Sequence, residues 1–444
     1  MKKTILTTMA TLAISLTLST KVFSEPLPEP NIVGQYAITL DVNTGEIIYA
    51  KNADAKAYPA SITKLMSAIL LEKNLSKEDL LTYTANAKVQ PSSAINTDRL
   101  SVPVGQQISA DTALKTMLLA SANDMTEMVA TNIPKRNSND NTEFIAMMNA
   151  EAQRLGMVNT HFVTSNGLDD NTNEHLTTAY DLTILGREVA KNPWTREIWP
   201  LKSTIIAIPG LASFEIGNTN QFVYPNFELH DPTCIGSKTG YTDKAGRCLL
   251  SIFERDNRQI IGVVLNSQLS PNDLVAFNDM KQIIDYSYSA EKKVLEATDP
   301  ATGVNTSYKK DTTVLTVPVE YKVFKTFGPR KTIEVPVILD DDLSTYTNEI
   351  NSKDIKLTYD YDINIFSNED KNILGTLTLK QRENSYAVNL YTNLNSKAMR
   401  ELDSNSYSLL YGVIALGAGF LVLVMLSLMI VLRKKKIKGN KYKL

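Results

Sequence analysis

A serine and a lysine three residues apart on one helical face can make a nucleophile and its base. The stretch Pro59-Ala60-Ser61-Ile62-Thr63-Lys64-Leu65-Met66 offers that arrangement. Pro59 stands just ahead of a predicted first helical turn, where a missing N–H does no harm. Leu65, Met66, Ile69 and Leu70 follow at helical spacing, so the helix has a face to bury. Ser61 and Lys64 then lie close enough to touch. A serine hydroxyl is a weak nucleophile until a base takes its proton. A lysine amine can be that base once burial lowers its pKa, and the partial positive charge of a helix N-terminus lies near the oxygen.

The pair alone says little, because Ser-x-x-Lys recurs at Ser289–Lys292 and Ser307–Lys310. A capping serine and a solvated lysine are the ordinary reading of such a match. Ser61 differs in its downstream company. Ser121-Ala122-Asn123 falls on a short connection between a helix predicted at 111–120 and one that restarts at Met125, with Asn123 or Asp124 as the next cap. Such a connection can aim a hydroxyl and an amide into a cleft, although taken alone it is an ordinary capping loop. Lys238-Thr239-Gly240 follows a short strand signal and precedes Tyr241-Thr242-Asp243-Lys244-Ala245-Gly246.

The elements around these residues are mixed. Strands at 35–40 and 46–49 flank an Asn-Thr-Gly turn. Helices are expected at 58–73, 111–120, 143–155 (ended by Gly156), from Thr177 or Thr178 onward, and at 272–288. Alternating strands fall at 249–253 and 260–265, after a loop turning at Asn166-Gly167. From 291 to 396 the character changes. Short runs at 313–319, 332–338, 355–365 and 375–379 read as strands of a small all-β unit with no motif of its own.

The 444 residues suffice for two or three domains, and 43% hydrophobic with 21% charged residues is a globular balance. Residues 1–24 carry Lys2 and Lys3, an apolar run from Ile5 to Leu18 and a small residue at Ser24, the pattern of a secretory signal peptide. Residues 407–432 are 26 without a charge, enough to span a bilayer, and seven basic residues follow in 433–444. The expected location is therefore the cell membrane: a single-pass chain with its body outside the cell and its C-terminus in the cytoplasm. Formal net charge is −2, and removing the basic tail and the signal peptide leaves −12, so nucleic acid is not an expected partner.

Cys234 and Cys248 form neither a disulfide framework nor a zinc site. If they lie on the two arms of a hairpin turning near Asp243, they are several residues out of register, so free buried thiols are expected. Three histidines argue against His-based metal catalysis and a Ser-His-Asp triad, and neither a metal nor a cofactor is called for.

Ser61-Ile62-Thr63-Lys64, Ser121-Ala122-Asn123 and Lys238-Thr239-Gly240, in that order, resemble the three motifs of the penicillin-recognising serine enzymes. The flanking Gly236–Gly246 run is similar to a signature of serine-type D-Ala-D-Ala carboxypeptidases, the low-molecular-mass penicillin-binding proteins of peptidase S11 type. So is the 166–181 segment with Gly167-Leu168, His175 and Thr178-Ala179-Tyr180-Asp181. The resemblance implies an α+β, penicillin-binding/transpeptidase-like domain at 25–288: an antiparallel sheet flanked by helices, with a helical subdomain. A β-rich stalk at 289–398, a transmembrane helix at 407–432 and a basic cytoplasmic tail at 433–444 complete the expected organisation.

The resemblance also implies roles. Ser61 is the acylated nucleophile, Lys64 its base, and Ser121 the proton relay to the leaving amine. Asn123, Lys238, Thr239 and Tyr241 bind substrate, Tyr241 through a backbone N–H that forms the oxyanion hole with that of Ser61. The implied activity is removal of the terminal D-alanine from peptidoglycan stem peptides, with β-lactams as covalent inhibitors. Two positions depart from the family pattern: Ala276 stands where an arginine often helps hold the substrate carboxylate, and Ile235 where an aspartate is common. His175 matches a family position and reads equally as a brace for its loop. A serine β-lactamase is the nearest alternative and would need a deacylating glutamate, for which Glu174 is the acidic candidate beside Asp169 and Asp170. A catalytically idle scaffold that binds cell wall is the alternative from another class.

Overall fold

The computed structural model describes residues 27–91, 93–133, 139–270 and 273–440. The expected signal peptide at 1–24 and the last residues of the basic tail, 441–444, lie outside them.

The α+β expectation holds. One sheet of five antiparallel strands runs in the order Ile47–Lys51, Tyr36–Asp41, Arg258–Ser267, Gly246–Arg255, Cys234–Thr242. Apolar residues occupy both parities of its central strands, because both faces are covered. Leu249, Phe253, Ile260 and Val264 pack on Phe277, Met280 and Ile284 of the helix Val275–Ser289. Leu250, Ile252, Ile261 and Val263 face the opposite way, onto Leu65 and Ile69 of the helix Lys64–Asn74 and Leu182 and Leu185 of Ala179–Val189. The helices Ala110–Leu119, Asn123–Asn132 and Thr142–Leu155 belong to the same buried cluster. In the register, Cys248 lies opposite Gly240 and Cys234 opposite Phe253, which keeps both thiols free, buried and far out of step.

Local details differ from the sequence expectation where side chains are drawn elsewhere. The Ser61 segment is a 3-10 turn, Ala60–Thr63, that passes into the α-helix only at Lys64. Asn123 begins its helix and Ala122 occupies the cap, with no capping side chain, because Asn123 and Asp124 are both committed to other partners. Thr178 does cap its helix, accepting from Asp181 N at 3.0 Å.

A second antiparallel sheet follows in the order Thr313–Lys322, Arg330–Leu339, Asn384–Thr392, Asn372–Gln381, Lys356–Tyr361. This region also holds two short helices that alternation does not signal, Glu349–Asp354 and Ser396–Leu402. The strand expected at 355–365 stops at Tyr361. The helix Ser404–Asn440 closes the chain; over Ser404–Lys435 it is long and apolar enough to cross a membrane, and its apolar window buries nothing against the protein.

The Glu349–Asp354 helix joins the two sheets. The side-chain amides of Asn348 and Asn351 both donate to Ile47 O at 2.9 Å, Glu349 accepts from Ala53 N at 3.0 Å, and Ile350 enters the core of the first sheet. Arg258 pairs with Asp41 at 2.9 Å and reaches Tyr346 Oη at 3.0 Å. Buried Asn351 also serves Tyr346 O at 2.8 Å. Asn351→Ala is expected to lower unfolding free energy by about 1–3 kcal/mol, the cost of stranding buried carbonyls. Urea denaturation of the full chain would show it as a lower midpoint.

Candidate active site

The Ser61 turn is held in a conformation that the local sequence would not choose. Ala60 has φ +47° and Ser121 φ +58°, left-handed values that are strained for non-glycine residues, at a cost of order 1–3 kcal/mol each. Two glycines let the chain close around the turn. A Cβ on Gly167, itself at φ +92°, would lie 1.9 Å from Ala60 O, and one on Gly240 would lie 3.0 Å from Ser61 N. The Asn166-Gly167 turn and the edge strand thus grip the Ser61 backbone from two sides.

Lys64 Nζ lies 2.7 Å from Ser61 Oγ, 2.7 Å from Asn123 Oδ1 and 2.7 Å from the carbonyl oxygen of Asn166. The lysine is fully buried. Burial holds its pKa well below that of a free lysine, the nearby Lys238 charge lowers it further, and Asp124 opposes the shift. A neutral amine has two hydrogens and one lone pair. With the hydrogens donated to Asn123 and Asn166, the lone pair faces Ser61, whose hydroxyl then donates. This is the arrangement a general base needs.

Lys238 is also fully buried, and desolvation brings its pKa down to about 7. It donates to Ser121 Oγ at 2.8 Å and to Thr239 O at 2.7 Å. Thr239 sits at the rim and donates to Thr219 Oγ1 at 2.7 Å. The structure therefore gathers Ser61, Lys64, Ser121, Asn123, Lys238 and Thr239 in one cleft. The Tyr241 side chain points out of it: the phenol donates to Asp243 at 2.8 Å, and the ring lies under Arg247 at 4.6 Å. Arg247 stands opposite Tyr241 in the strand pair and forms an ion pair with Asp273. Ala276 is buried among the apolar residues behind the sheet.

Several residues that support the cleft gave no signal in one sequence. Asp124 accepts from Ile95 N, Asn96 N and Tyr83 Oη at 2.9 Å each, fixing the segment whose Ser93 carbonyl receives Asn123 N. Glu127 accepts from Ser165 Oγ at 2.8 Å, and Ser165 O accepts from Ser67 Oγ at 2.6 Å, which ties the 165–167 turn to both neighbouring helices. His175 is the brace for that turn. Its Nδ1 accepts from Val163 N at 2.9 Å and Thr164 N at 3.2 Å, so the ring is neutral with its proton on Nε2, donated to Thr63 Oγ1 at 2.8 Å. Of the other acids, Glu174 is exposed and Asp169 accepts from Thr242 Oγ1 at 2.8 Å. Among the described residues the hydrogen bonds around Ser61 and Lys64 include no carboxylate, and no cluster of His, Cys, Asp or Glu is placed to hold a metal.

Two outcomes are expected. Gly167→Ala must push the Ala60–Ser61 backbone aside. A displacement of that size reduces a well-positioned reaction by roughly 100-fold, readable as the rate at which Ser61 is modified by a serine-directed acylating reagent. Burial lowers the His175 pKa from 6.5 to about 3. Between those values the unfolded chain binds the proton and the folded chain does not, so stability is present above about pH 6.5 and declines as pH falls toward 3. A His175→Gln variant should lose that slope in denaturation measured across the same window.

The family model described as D-alanyl-D-alanine carboxypeptidase, peptidase S11, matches residues 22–269. The chain is 26% identical over 351 residues to the D-alanyl-D-alanine carboxypeptidase DacF of Bacillus subtilis, covering 78% of this chain and 81% of that one. It is 31% identical over 260 residues to a D-alanyl-D-alanine endopeptidase of Pseudomonas aeruginosa, covering 55% of this chain and 77% of that one. Among solved structures, a D-alanyl-D-alanine carboxypeptidase from Mycobacterium tuberculosis superposes with a TM-score of 0.53 at 22% identity, covering 64% of this chain and 99% of that one. The Streptomyces K15 DD-transpeptidase does so with a TM-score of 0.52 at 23% identity, covering 60% and 100%. At those identities the two structures speak for the fold alone. The family match spans more than half of the chain and contains all three motifs: this protein belongs to the D-alanyl-D-alanine carboxypeptidase family of serine hydrolases, peptidase S11.

Proposed function

We propose that the chain is a membrane-anchored serine D-Ala-D-Ala carboxypeptidase that trims the terminal D-alanine from peptidoglycan stem peptides through an acyl-enzyme on Ser61. The observation that carries the reading is a desolvated Lys64 amine 2.7 Å from Ser61 Oγ. Ser61 Oγ attacks the carbonyl between the two D-alanines as Lys64 takes its proton. Backbone N–H groups of Ser61 and Tyr241 receive the developing oxyanion, where each such donor typically contributes about 3 kcal/mol. Ser121, bonded to Lys238, passes a proton to the departing amine, and D-alanine leaves. Asn123 holds the substrate amide. Lys238 and Thr239 hold the terminal carboxylate, without help from an arginine at position 276. Water then attacks the ester, returning its proton to Ser61 and releasing the shortened peptide. A β-lactam forms the same ester, but its amine stays tethered and blocks the water.

The division of labour along the chain follows. Residues 25–288 carry the chemistry, 289–398 form a stalk, 407–432 cross the membrane and 433–444 remain in the cytoplasm, held there by their positive charge. The catalytic body then faces the cell wall, above the membrane that holds the chain. The exposed Glu174 and the committed Asp169 speak against a glutamate-driven β-lactamase.

Mass spectrometry of the detergent-solubilised full chain tests the reading. Benzylpenicillin should leave a long-lived adduct on Ser61, and a pentapeptide ending in D-Ala-D-Ala should release D-alanine. Ser61→Ala should do neither. Rapid penicillin turnover with the peptide untouched would make the protein a β-lactamase, and no adduct with no release would leave the idle scaffold. The kcat/KM profile should be bell-shaped. Activity falls at acid pH as Lys64 gains a proton, and at alkaline pH as Lys238, with its pKa near 7, loses one. Lys238→Met removes the like charge that depresses Lys64, so its acid limb should move to higher pH.

A further inference from the structure

The second sheet ends, beside the start of the apolar helix, in a hairpin whose composition is unlike the rest of its surface. The turn 323–329 connects the strands Thr313–Lys322 and Arg330–Leu339 and reads Val-Phe-Lys-Thr-Phe-Gly-Pro. With its flanks it carries Lys322, Lys325, Arg330 and Lys331, and no acid lies between Glu320 and Glu334. Lys331 is committed to buried Asp403. Arg330 pairs with Glu320, but both side chains are exposed, and Lys322 donates to the backbone carbonyl of Thr326 at 3.2 Å. Among these charges Phe327 stands 55% exposed, its ring 5.0 Å from that of Phe324.

The turn is fastened to the helix Ser404–Asn440. Phe324 meets Tyr407 edge-on at 5.1 Å, Tyr407 Oη donates to Val323 O at 3.0 Å, and Tyr411 continues the aromatic row at 6.3 Å from Tyr407. An open cleft of about 360 Å³ lies between turn and helix, lined among others by Phe324, Lys325, Phe327, Arg400, Tyr407 and Tyr411. The helix sets the height of these groups above a bilayer. The uncharged run 407–432 rises about 39 Å at 1.5 Å per residue, against a hydrocarbon core of about 30 Å. Counted back from the basic tail, the core is filled by about position 413, so Tyr407 and Tyr411 fall in the headgroup layer, where aromatic side chains concentrate. Phe324 and Phe327, packed at their level, fall there too.

We propose that the 323–329 turn is a second membrane contact. It seats Phe324 and Phe327 in the interfacial layer of the outer leaflet, while Lys322, Lys325 and Arg400 bind the phosphates of anionic phospholipids. The proposal rests on reading Ser404–Asn440 as a membrane span. The occupant is a lipid surface rather than a protein because the helix that needs the bilayer is bonded to the turn itself, and the basic rim complements anionic headgroups. Two points of attachment on one rigid sheet would fix the tilt of the stalk, which a single helix and a flexible joint would not.

The test uses the full chain with Thr326→Cys carrying an environment-sensitive fluorophore, since native Cys234 and Cys248 are buried. A second variant, Leu421→Cys, reports on the middle of the helix. Each is reconstituted into phosphatidylglycerol or phosphatidylcholine vesicles containing lipids spin-labelled near the headgroup or near the acyl end. In phosphatidylglycerol the Thr326 label should shift to the blue and lose at least half of its emission to the headgroup-level quencher. The effect should be weaker in phosphatidylcholine and in a Lys322→Glu/Lys325→Glu background. A quenched Leu421 label with an unquenched Thr326 label would overturn the contact and leave the span standing. If neither label is quenched, the span falls and takes the contact with it. Equal quenching of Thr326 in both lipids would overturn the role given to the basic residues.

Discussion

An ammonium ion is costly to bury in a dry cleft, and the chemistry available to this protein depends on that cost. Among the described residues, Lys64 has no carboxylate hydrogen-bond partner; it has an amide oxygen, a backbone carbonyl and a serine. Those neighbours satisfy a neutral amine as well as they would a charged one. Lys238, equally buried, lies close enough for its charge to lower the Lys64 pKa further. Two residues of the same type thus sit in one cleft with different partners, Lys64 beside Ser61 and Lys238 beside Ser121.

The surrounding structure keeps that pair dry and in register. Asp124 and Glu127 carry no proton-transfer role in the proposed reaction. They hold, through their oxygens, the backbone segments that supply Asn123 and Asn166 to Lys64. His175 does the same from below with a proton locked on Nε2. Strain at Ala60 and Ser121 persists because packing over-determines it: the gap beside Ala60 admits only a glycine at 167.

The second sheet bears on function through placement. It is docked to the first by the Asn348–Asn351 amides and the Arg258 network, to Asp403 just ahead of the terminal helix by Tyr321 and Lys331, and to the helix itself by Tyr407. The second sheet is thus bonded at both ends, to the first sheet on one side and to the segment that opens the apolar helix on the other.

Much of this was legible in the residues themselves. Periodicity disclosed the helices and strands of the first sheet, because apolar burial imposes its spacing directly on sequence. The three motifs disclosed which side chains meet in the cleft, because Ser61, Lys64, Ser121, Asn123 and Lys238 all stand in them. The uncharged run disclosed the long apolar helix Ser404–Asn440, because length and apolar composition are written directly in the sequence. Other features had no local signature. The 3-10 turn at Ser61, the uncapped start at Asn123 and the helix Glu349–Asp354 arise from partners 59 to 304 positions away. So do the depressed pKa of Lys64, the tautomer of His175 and the service of Asp124. The sequence by itself determined which chemical groups are present and in what order the elements carry them. Only the tertiary structure decided which groups are dry and what each one faces, because desolvation and hydrogen-bond partnership are properties of a packed neighbourhood that no stretch of chain possesses alone.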